Sequence, residues 1–189
     1  VDHPAEVHTY GNIVCAVNGE IYNVTELKGA LSAQGILFEH PIDTFIVAPL
    51  LSAFGEAAFD MIDGQFAIIS IDTRSRNVTL ARDKFGVCPL HYTIMNGVLF
   101  AASEMKAFLS LPGFRRSLNI KGIQQLAYYG STLSPSCLLK GIHQVPHASY
   151  VTINREERRT VARYYQLPLF PNTKLRGISF GDAASEYRN

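Results

Sequence analysis

The chain has 189 residues, of which 47% are hydrophobic and 17% are charged, and its formal net charge is +1 at pH 7. This is the composition of a globular domain large enough to bury its own core, and it excludes an intrinsically disordered chain. A charge so near zero predicts neither nucleic acid nor an anionic membrane as a partner, and no apolar run approaches the roughly 18 residues that span a bilayer.

The first half of the chain is predicted to mix short strands with amphipathic helices. A strand comes first, and a helix ended by Gly35 follows it. After a second short strand, Asp43 or Thr44 is predicted to cap a long apolar helix whose first turns are distorted by Pro49. These four elements are predicted over 12–17, 25–35, 36–39 and 45–62.

The second half is predicted to consist of hairpins and two further helices. One hairpin turns at the polar stretch TRSR and the next at Asn96-Gly97, a pair that favours tight two-residue turns. A helix capped by Ser103, a helix closed by Gly130 and a last hairpin follow. The first hairpin is predicted over 65–72 and 77–83, the second over 89–94 and 98–103, and the last over 147–167. The two helices are predicted over 103–111 and 119–130. Antiparallel hairpins with segregated helices predict an α+β layered domain.

The sequence changes in character after Leu167. Residues 168–189 contain two prolines, two glycines and little periodicity, which is typical of a linker. We therefore predict one domain over 1–167 and a linker over 168–189. The chain begins with Val1 rather than Met, from which we expect a processed product or a fragment.

The stretch VNGEIYN, over residues 17–23, is the first candidate site. Asn18-Gly19 at the end of a strand can place a side-chain amide N–H beside a backbone N–H, the two donors that a tetrahedral oxyanion needs. Glu20 next to them, and Asp43 at a predicted helix start, can each pair with an ammonium group. An ordinary turn followed by a solvated glutamate is the alternative, and these residues alone leave both interpretations open.

The other residues offer little catalytic chemistry. Cys15, Cys88 and Cys137 form no CxxC and no metal-type group with histidine, which predicts buried or incidental thiols, a reducing cytoplasmic compartment and no metal site. The sequence contains no GxSxG, Walker-A, GxGxxG or HExxH motif. Arg82 and Asp83 are predicted to brace a strand rather than to do chemistry.

Several motifs resemble those of class II glutamine amidotransferase domains of the asparagine synthetase family. VNGEIYN is similar to the strand-turn signature of that family, and IDTF at 42–45 to its Ser-Asp-Thr-Glu segment. IDGQFAIISID, ARDKFGVCPLHY, ASEMKAFLSLPG and IHQVPHASYVTI match later segments in the same order, so the resemblance covers about 12–167. It implies an N-terminal-nucleophile fold, a four-layer αββα sandwich in which two antiparallel sheets lie between helix layers.

The resemblance also implies an activity. In such domains an N-terminal cysteine attacks the side-chain amide of glutamine, and ammonia passes to an ATP-dependent synthetase domain. Asn18 and Gly19 would then form the oxyanion hole, and Glu20 and Asp43 would bind the α-ammonium group of glutamine. No cofactor is expected in this chain. ATP and Mg²⁺ are expected in the synthetase domain, in cis or in trans, and a homodimer is a further state that we consider.

The sequence departs from the family where the nucleophile should be. The chain starts at Val1 instead of Cys-Gly-Ile, and the Arg-rich segment that clamps the substrate carboxylate is missing. Cys15 lies within a strand and has no free amine to activate its thiol, so we exclude it as a substitute. Cys88 occupies a position where the family often has lysine. We therefore expect this chain to bind glutamine weakly or not at all, and not to hydrolyse it.

Two explanations of these departures stay open. The chain is either a fragment whose missing front supplies cysteine and arginine, or a degenerate domain. Degenerate front domains occur in β-lactam synthetases and lasso-peptide cyclases, where they are structural partners of an ATP-using half. The start at Val1 rather than Met favours a fragment, and the bulky His40, Pro41 and Ile42, which replace small residues before Asp43, favour degeneracy. Phe45 stands in place of the usual glutamate.

Overall fold

A computed structural model of the protein describes residues 7–167 together with Ser179, Gly181, Asp182 and Ser185. The strands in this part are β1 (Val7–Tyr10), β2 (Ile13–Ile21), β3 (Gly64–Asp72), β4 (Asn77–Arg82), β5 (His91–Met95), β6 (Val98–Ala102), β7 (His143–Gln144), β8 (Ser149–Ile153) and β9 (Arg159–Arg163). The α-helices are α1 (Val24–Ala33), α2 (Val47–Phe54), α3 (Ala58–Met61) and α4 (Ile120–Tyr129). The predicted linker over 168–189 lies almost wholly outside the described residues, so the domain boundary stays a prediction.

The strands form two antiparallel sheets. The larger sheet has the order β1-β2-β3-β4-β8-β9, and the smaller has the order β6-β5-β7. All three predicted hairpins are confirmed. The β5–β6 hairpin turns at Asn96 and Gly97, whose φ angles of 52° and 77° are those of a type I′ turn. The predicted α+β class with antiparallel sheets is likewise confirmed.

Three apolar clusters hold the layers together. The first lies between the helices and the larger sheet, and its buried members include Leu31, Leu50, Phe59 and Ile68. The second lies between the two sheets and includes Leu80, Tyr92 and Val151. The third lies on the outer side of the smaller sheet and includes Phe108 and Ile142. The layers therefore follow the order helices, larger sheet, smaller sheet and an outer layer containing the 3-10 turn Met105–Ser110.

The long helix predicted over 45–62 is divided into shorter pieces. A 3-10 turn at Asp43–Ile46 leads into α2, and a second 3-10 turn at Gly55–Ala57 leads into α3. The first break agrees with the predicted distortion, because Pro49 has no N–H for a regular helical bond. The second break falls at Gly55, which has a φ of 57° and ends α2.

The segment Asp43–Met61 is, contrary to the expectation from the sequence, long and apolar enough to cross a membrane by length and composition. It spans 19 residues. However, Val47 and Leu50 are completely buried in the cluster that packs α2 on the larger sheet. These contacts are those of a core helix in a globular domain.

Two other predicted elements are wrong. Residues 36–39 form no strand, since none of the strands in the described part of the chain pairs with them. The predicted α-helix over 103–111 is a 3-10 turn that begins after Glu104, and Ser103 does not cap it. The helices predicted over 25–35 and 119–130 are confirmed, and Gly130 ends α4 in the left-handed conformation, with a φ of 72°.

Candidate functional site

Strand β2 does not end at Asn-Gly-Glu, as the sequence predicts, but continues to Ile21. Residues 18–20 pair with residues 65–67 of β3 in unbroken antiparallel register. The long pairing with β3 overrides the local turn preference of Asn-Gly, which the sequence pattern cannot reveal. The candidate site therefore lies along the last part of a strand, and not on a turn.

Gly19 is required by the backbone at this position. Its φ of 142° is rarely adopted by residues with a side chain, and a Cβ atom added there would lie 1.9 Å from the carbonyl oxygen of Gln65. A larger residue would thus force β2 away from β3. The glycine therefore allows β2 and β3 to stay paired at this position.

The backbone N–H of Gly19 points away from β3. Its partner Phe66 instead donates its N–H to the carboxylate of Asp83 at 3.3 Å, and accepts the N–H of Asp83 at 3.0 Å. Gly19 and Phe66 are therefore a pair that exchanges no hydrogen bonds between β2 and β3. The N–H of Phe66 points away from β2, toward Asp83, and the N–H of Gly19 points away from β3. Ile21 follows the same alternation, and its outward N–H donates to Asp43 Oδ2 at 2.5 Å. The N–H groups of Gly19 and Ile21 thus lie on one side of β2.

Asp43 is held at the end of β2 by this hydrogen bond. It is the first residue of the 3-10 turn Asp43–Ile46, where Ile42 is the cap residue and no side chain caps the turn. The predicted capping role of Asp43 or Thr44 is therefore wrong. A carboxylate can accept several hydrogen bonds, so the bond from Ile21 leaves Asp43 with further acceptor capacity.

The side chain of Asn18 crosses to the smaller sheet. Its Nδ2 donates to Ser103 Oγ at 3.3 Å, and the carbonyl of Ser103 lies 3.0 Å from His91 Nδ1. Burial is the main cause that lowers the pKa of His91, which favours a neutral ring whose Nδ1–H donates to that carbonyl. An amide group has two N–H donors, and this contact uses one. The sequence did not identify Ser103 or His91 here, since nothing local links residues 85 positions apart.

Glu20 lies on the same face of β2 as Asn18, since side chains alternate along a strand. It is exposed. Burial raises the pKa of the half-buried Cys88 thiol, and the charges of Asp83 and Glu20 raise it further, whereas Arg82 lowers it. The charge of Glu20 thus acts on the loop that follows β4.

Arg82 and Asp83 hold that loop in place. The Asp83 carboxylate accepts the backbone N–H groups of Phe66, Phe85, Val87 and Cys88. The Arg82 guanidinium donates to the carbonyls of Gly86, Cys88 and Val145. These contacts mainly brace the loop, and only the bond from Phe66 reaches a neighbouring strand, so the predicted bracing role extends from the strand to the loop that follows it.

Cys15 lies on the opposite face of β2 from Asn18, within the cluster under the helices. Its Sγ is 3.0 Å from His8 Nε2. Burial raises the pKa of the thiol to about 12, so the thiol is neutral at pH 7. Cys137 is also buried, and burial raises its pKa to about 11. The prediction of buried thiols is confirmed for these two cysteines.

Three aromatic rings stack beside Asp43. The Phe45 ring lies between His8, at a centroid distance of 4.3 Å, and His40, at 4.1 Å, with interplanar angles of 16° and 5°. Sequence reasoning missed this stack, because His8 comes from β1 and meets the other two rings only in the folded chain. The stack fixes the segment before α2 against the larger sheet.

A cavity of about 310 Å³ lies at the other end of β2 and includes none of the four predicted site residues. Its lining contains Asn12, Asp72, Arg74, Ser75 and Asn77. The Asp72 carboxylate is already bonded within this group, to Asn12, Ser75 and the N–H of Arg74. We therefore place the candidate site at the end of β2 rather than in this cavity.

A family model described as a glutamine amidotransferase domain matches residues 3–165. The chain belongs to this family. The predicted resemblance is thereby confirmed for the family, whereas the roles of Asn18, Gly19, Glu20 and Asp43 stay predictions. Asn18, Gly19 and Glu20 lie in the last part of β2. Asp43 lies beside them, because it accepts the N–H of Ile21.

Curated relatives of this glutamine amidotransferase domain are much longer proteins. Asparagine synthetase [glutamine-hydrolyzing] 2 of Bacillus subtilis (strain 168) is 34% identical over 83% of this chain and 22% of its own length. Asparagine synthetase [glutamine-hydrolyzing] 2 of Oryza sativa subsp. japonica is 39% identical over 53% of this chain and 18% of its own length. The chain thus spans about a fifth of the length of these relatives.

Among solved structures, the glutamine phosphoribosylpyrophosphate amidotransferase of B. subtilis, complexed with ADP and GMP, resembles the chain with a TM-score of 0.57. The match has 22% sequence identity and covers 87% of this chain and 32% of the other. At this identity the similarity concerns the fold. The predicted α+β fold of the N-terminal-nucleophile type is confirmed for this glutamine amidotransferase domain.

Proposed function

We propose that this chain is the glutamine amidotransferase-type front domain of an asparagine synthetase-like protein and, together with a segment that supplies the nucleophile, provides ammonia to an ATP-dependent, amide-forming domain. The observation that carries the proposal is the end of β2, where the Asn18 amide and the outward N–H of Gly19 are neighbours. ATP and Mg²⁺ belong to the companion domain, in cis or in trans. A cytoplasmic location is part of the same proposal.

In this proposal Asn18 and Gly19 stabilise an oxyanion. When a nucleophile attacks the side-chain amide of glutamine, the carbonyl oxygen becomes negative, and two N–H donors fixed beforehand lower the energy of that state. Ser103 orients the Asn18 amide, and pairing of β2 with β3 fixes Gly19. Glu20 and Asp43 supply the negative charge that attracts the α-ammonium group of the substrate.

The nucleophile in this proposal is not one of the three cysteines of this chain. A cysteine attacks as the thiolate. Burial keeps Cys15 neutral on the opposite face of β2, and Cys137 is buried in the outer cluster. The pKa of Cys88 is raised as well, and no free amine is adjacent to it to act as a base. We infer that this chain alone does not hydrolyse glutamine.

A second candidate function is that of a degenerate, structural front domain, as in β-lactam synthetase-like or lasso-peptide cyclase-like ligases. The stack of His8, Phe45 and His40 favours it. His40 and Phe45 belong to the segment around Asp43, where the resemblance implies small residues and a glutamate, and His8 of β1 stacks on Phe45. A domain of this kind would support its ATP-using half without binding glutamine.

The test compares two nitrogen sources in the complex of the synthetase domain with this chain carrying a restored Cys-Gly-Ile front, because none of the three cysteines of the chain serves as the nucleophile. Under the proposal, Asn18→Ala lowers glutamine-dependent turnover by about 10²-fold or more and leaves ammonia-dependent turnover unchanged, since one oxyanion donor is lost. Asn77→Ala, at the opposite end of the larger sheet, is the control and changes neither. If Asn18→Ala changes neither rate, the structural role is correct. An equal loss with both nitrogen sources contradicts the oxyanion assignment.

A further inference from the structure

Helix α4 packs on the domain through its small and polar side. Gly122 is the buried residue of this helix, and a Cβ atom added to it would lie 2.4 Å from the carbonyl oxygen of Cys137. Three residues further on, the side chain of Gln125 accepts the backbone N–H of Leu133 at 3.1 Å. Both partners belong to the segment that follows α4. This segment therefore covers the side of the helix that carries a glycine and a glutamine.

The large apolar residues of α4 are exposed instead. Ile120 and Ile123 lie one turn apart, and their exposed fractions are 67% and 41%. Leu126, Tyr128 and Tyr129 are exposed as well. An amphipathic helix at the surface of a globular domain normally directs such residues toward the core. Several neighbouring apolar side chains that stay open to solvent on one helix are typical of a docking surface.

A groove of about 620 Å³ lies between α4 and the segment that follows it. Its lining includes Lys121, Tyr128, Tyr129 and Leu133. A groove that is bordered by a helix accepts a second helix, whose apolar residues at positions i, i+3 or i+4, and i+7 fill it. The shape of this surface therefore favours a helical partner.

The charges around α4 favour an acidic partner. Residues 91–144, which form the smaller sheet and the layer outside it, contain five basic residues and a single acidic one. That acidic residue is Glu104, and it pairs with Lys106. Within the described part of the chain, Lys121 of α4 forms no ion pair. Carboxylates of a partner would therefore meet unpaired positive charge here, whereas a basic partner would be repelled.

We propose that the exposed side of α4 binds an acidic, amphipathic helix from a polypeptide outside these 189 residues. Because α4 has ten residues, the partner helix would have about three turns. Its apolar side chains would cover Ile120 and Ile123, and its carboxylates would pair with Lys121. The proposal does not rest on glutamine binding, since α4 contains none of the four residues of the candidate site.

Two other occupants fit this surface less well. A second copy of α4 would bring the basic surroundings of two identical helices together, which like charges disfavour. An anionic membrane would satisfy the charge of Lys121, but it is flat and would leave the groove beside α4 unfilled. A separate helix with acidic residues satisfies both the charge and the shape.

The test uses the 189-residue chain and a fluorescein-labelled peptide made of two repeats of Glu-Leu-Ala-Glu-Leu-Leu-Glu, followed by fluorescence anisotropy. As a helix, this peptide carries leucines on one side and glutamates on the other. We expect saturable binding of this peptide, and none of a matched peptide with lysine in place of every glutamate. Equal binding of both peptides overturns the proposal, because charge would then not select the partner. Absence of binding up to about 1 mM acidic peptide also overturns it.

Two pairs of matched variants test whether the peptide binds at α4. Ile120→Ser should weaken binding about 10-fold, because it removes apolar surface that the partner covers, whereas Leu37→Ser, at another exposed position, should not change it. Lys121→Glu should likewise weaken binding about 10-fold, and Lys28→Glu in α1 should not. All four side chains are exposed, so the circular dichroism spectra should stay those of the native chain. Unchanged binding by Ile120→Ser and by Lys121→Glu contradicts the proposal.

Two further measurements distinguish the other occupants. Vesicles of phosphatidylserine and phosphatidylcholine should not retain the chain in a flotation assay. Analytical ultracentrifugation should show no self-association that depends on Ile120. Vesicle binding that Ile120→Ser abolishes would assign this surface to a membrane, and a dimer that Ile120→Ser abolishes would assign it to a second copy. Either result overturns the proposal.

Discussion

The side-chain amide of Asn18, in the larger sheet, donates a hydrogen bond of 3.3 Å to the hydroxyl of Ser103, which follows strand β6 of the smaller sheet. This contact joins the two sheets at the end of β2. His91 holds Ser103 through its carbonyl, 3.0 Å from His91 Nδ1. The orientation of the proposed oxyanion donor is therefore fixed by residues of the other sheet.

Ser103→Ala tests this positioning role. Without its acceptor, the Asn18 amide samples other rotamers. We expect glutamine-dependent turnover of the synthetase complex that carries the restored Cys-Gly-Ile front to fall roughly fivefold, the effect of one lost hydrogen bond. Ammonia-dependent turnover should not change, and Ser103→Thr should restore the rate. Ser110→Ala, in the outer layer, is the control. A loss as large as that of Asn18→Ala would mean that Ser103 itself contacts the substrate.

Gly19→Ala should destabilise the fold strongly. The new Cβ would lie 1.9 Å from the carbonyl oxygen of Gln65, at a φ of 142°. We expect the free energy of unfolding to fall by roughly 3 kcal/mol or more in urea titrations. Gly29→Ala in α1 is the matched control, since no atom lies within 4 Å of its added Cβ. That change should raise the free energy of unfolding by roughly 0.5–1 kcal/mol, and similar effects of both changes would contradict the strained position of Gly19.

The three thiols should differ in reactivity with Ellman's reagent. Cys15 and Cys137 are buried and burial raises their pKa values to about 12 and about 11, whereas Cys88 is half-buried. We expect one thiol per chain to react in the native state at pH 8, and three after unfolding. The native reaction should disappear in Cys88→Ala and persist in Cys137→Ala. Its rate should rise with pH, because the raised pKa of Cys88 keeps most of this thiol protonated.

The stability of the β3–β4 hairpin should depend on Asp72 at low pH. Hydrogen bonds from Asn12 and Ser75 lower the pKa of Asp72 from 3.8 to about 2. Because the folded pKa lies below the unfolded one, the ionised group stabilises the fold above about pH 4, and this contribution is lost as the pH falls toward 2. Asp72 is only partly buried and is open to solvent screening, so we expect Asp72→Asn to cost less than about 1 kcal/mol at pH 6. Urea unfolding should show this difference shrinking between pH 4 and pH 2, and a constant difference would contradict the assignment.

The isolated chain should release no glutamate from glutamine above the buffer rate. The reason is chemical, since each of its thiols has a raised pKa and none has an adjacent free amine. Purified chain incubated with glutamine and assayed for glutamate provides the measurement. Release that disappears in Cys15→Ala or in Cys88→Ala would identify that cysteine as the nucleophile. The inference about the three thiols would then be wrong.

The sequence by itself determined the elements whose signals are local. Asn96-Gly97 requires positive φ angles at two successive residues, and the structure has a tight hairpin there. Gly130 likewise ends α4, and the apolar periodicity indicated α1 and α4. The order of the motifs also indicated the family. For the turn and the helices, a few neighbouring residues have one favourable conformation, so these elements could be predicted without knowing any distant contact.

Only the tertiary structure decided the form of the candidate site. Locally, Asn18-Gly19 favours a turn, but pairing with residues 65–67 keeps it in a strand and directs the Gly19 N–H outward. The acceptor for the Asn18 amide comes from a residue that was predicted to cap a helix. Strand pairing and contacts between sheets join residues 40 to 90 positions apart. Their energies depend on which segments meet, and a local pattern does not contain that information.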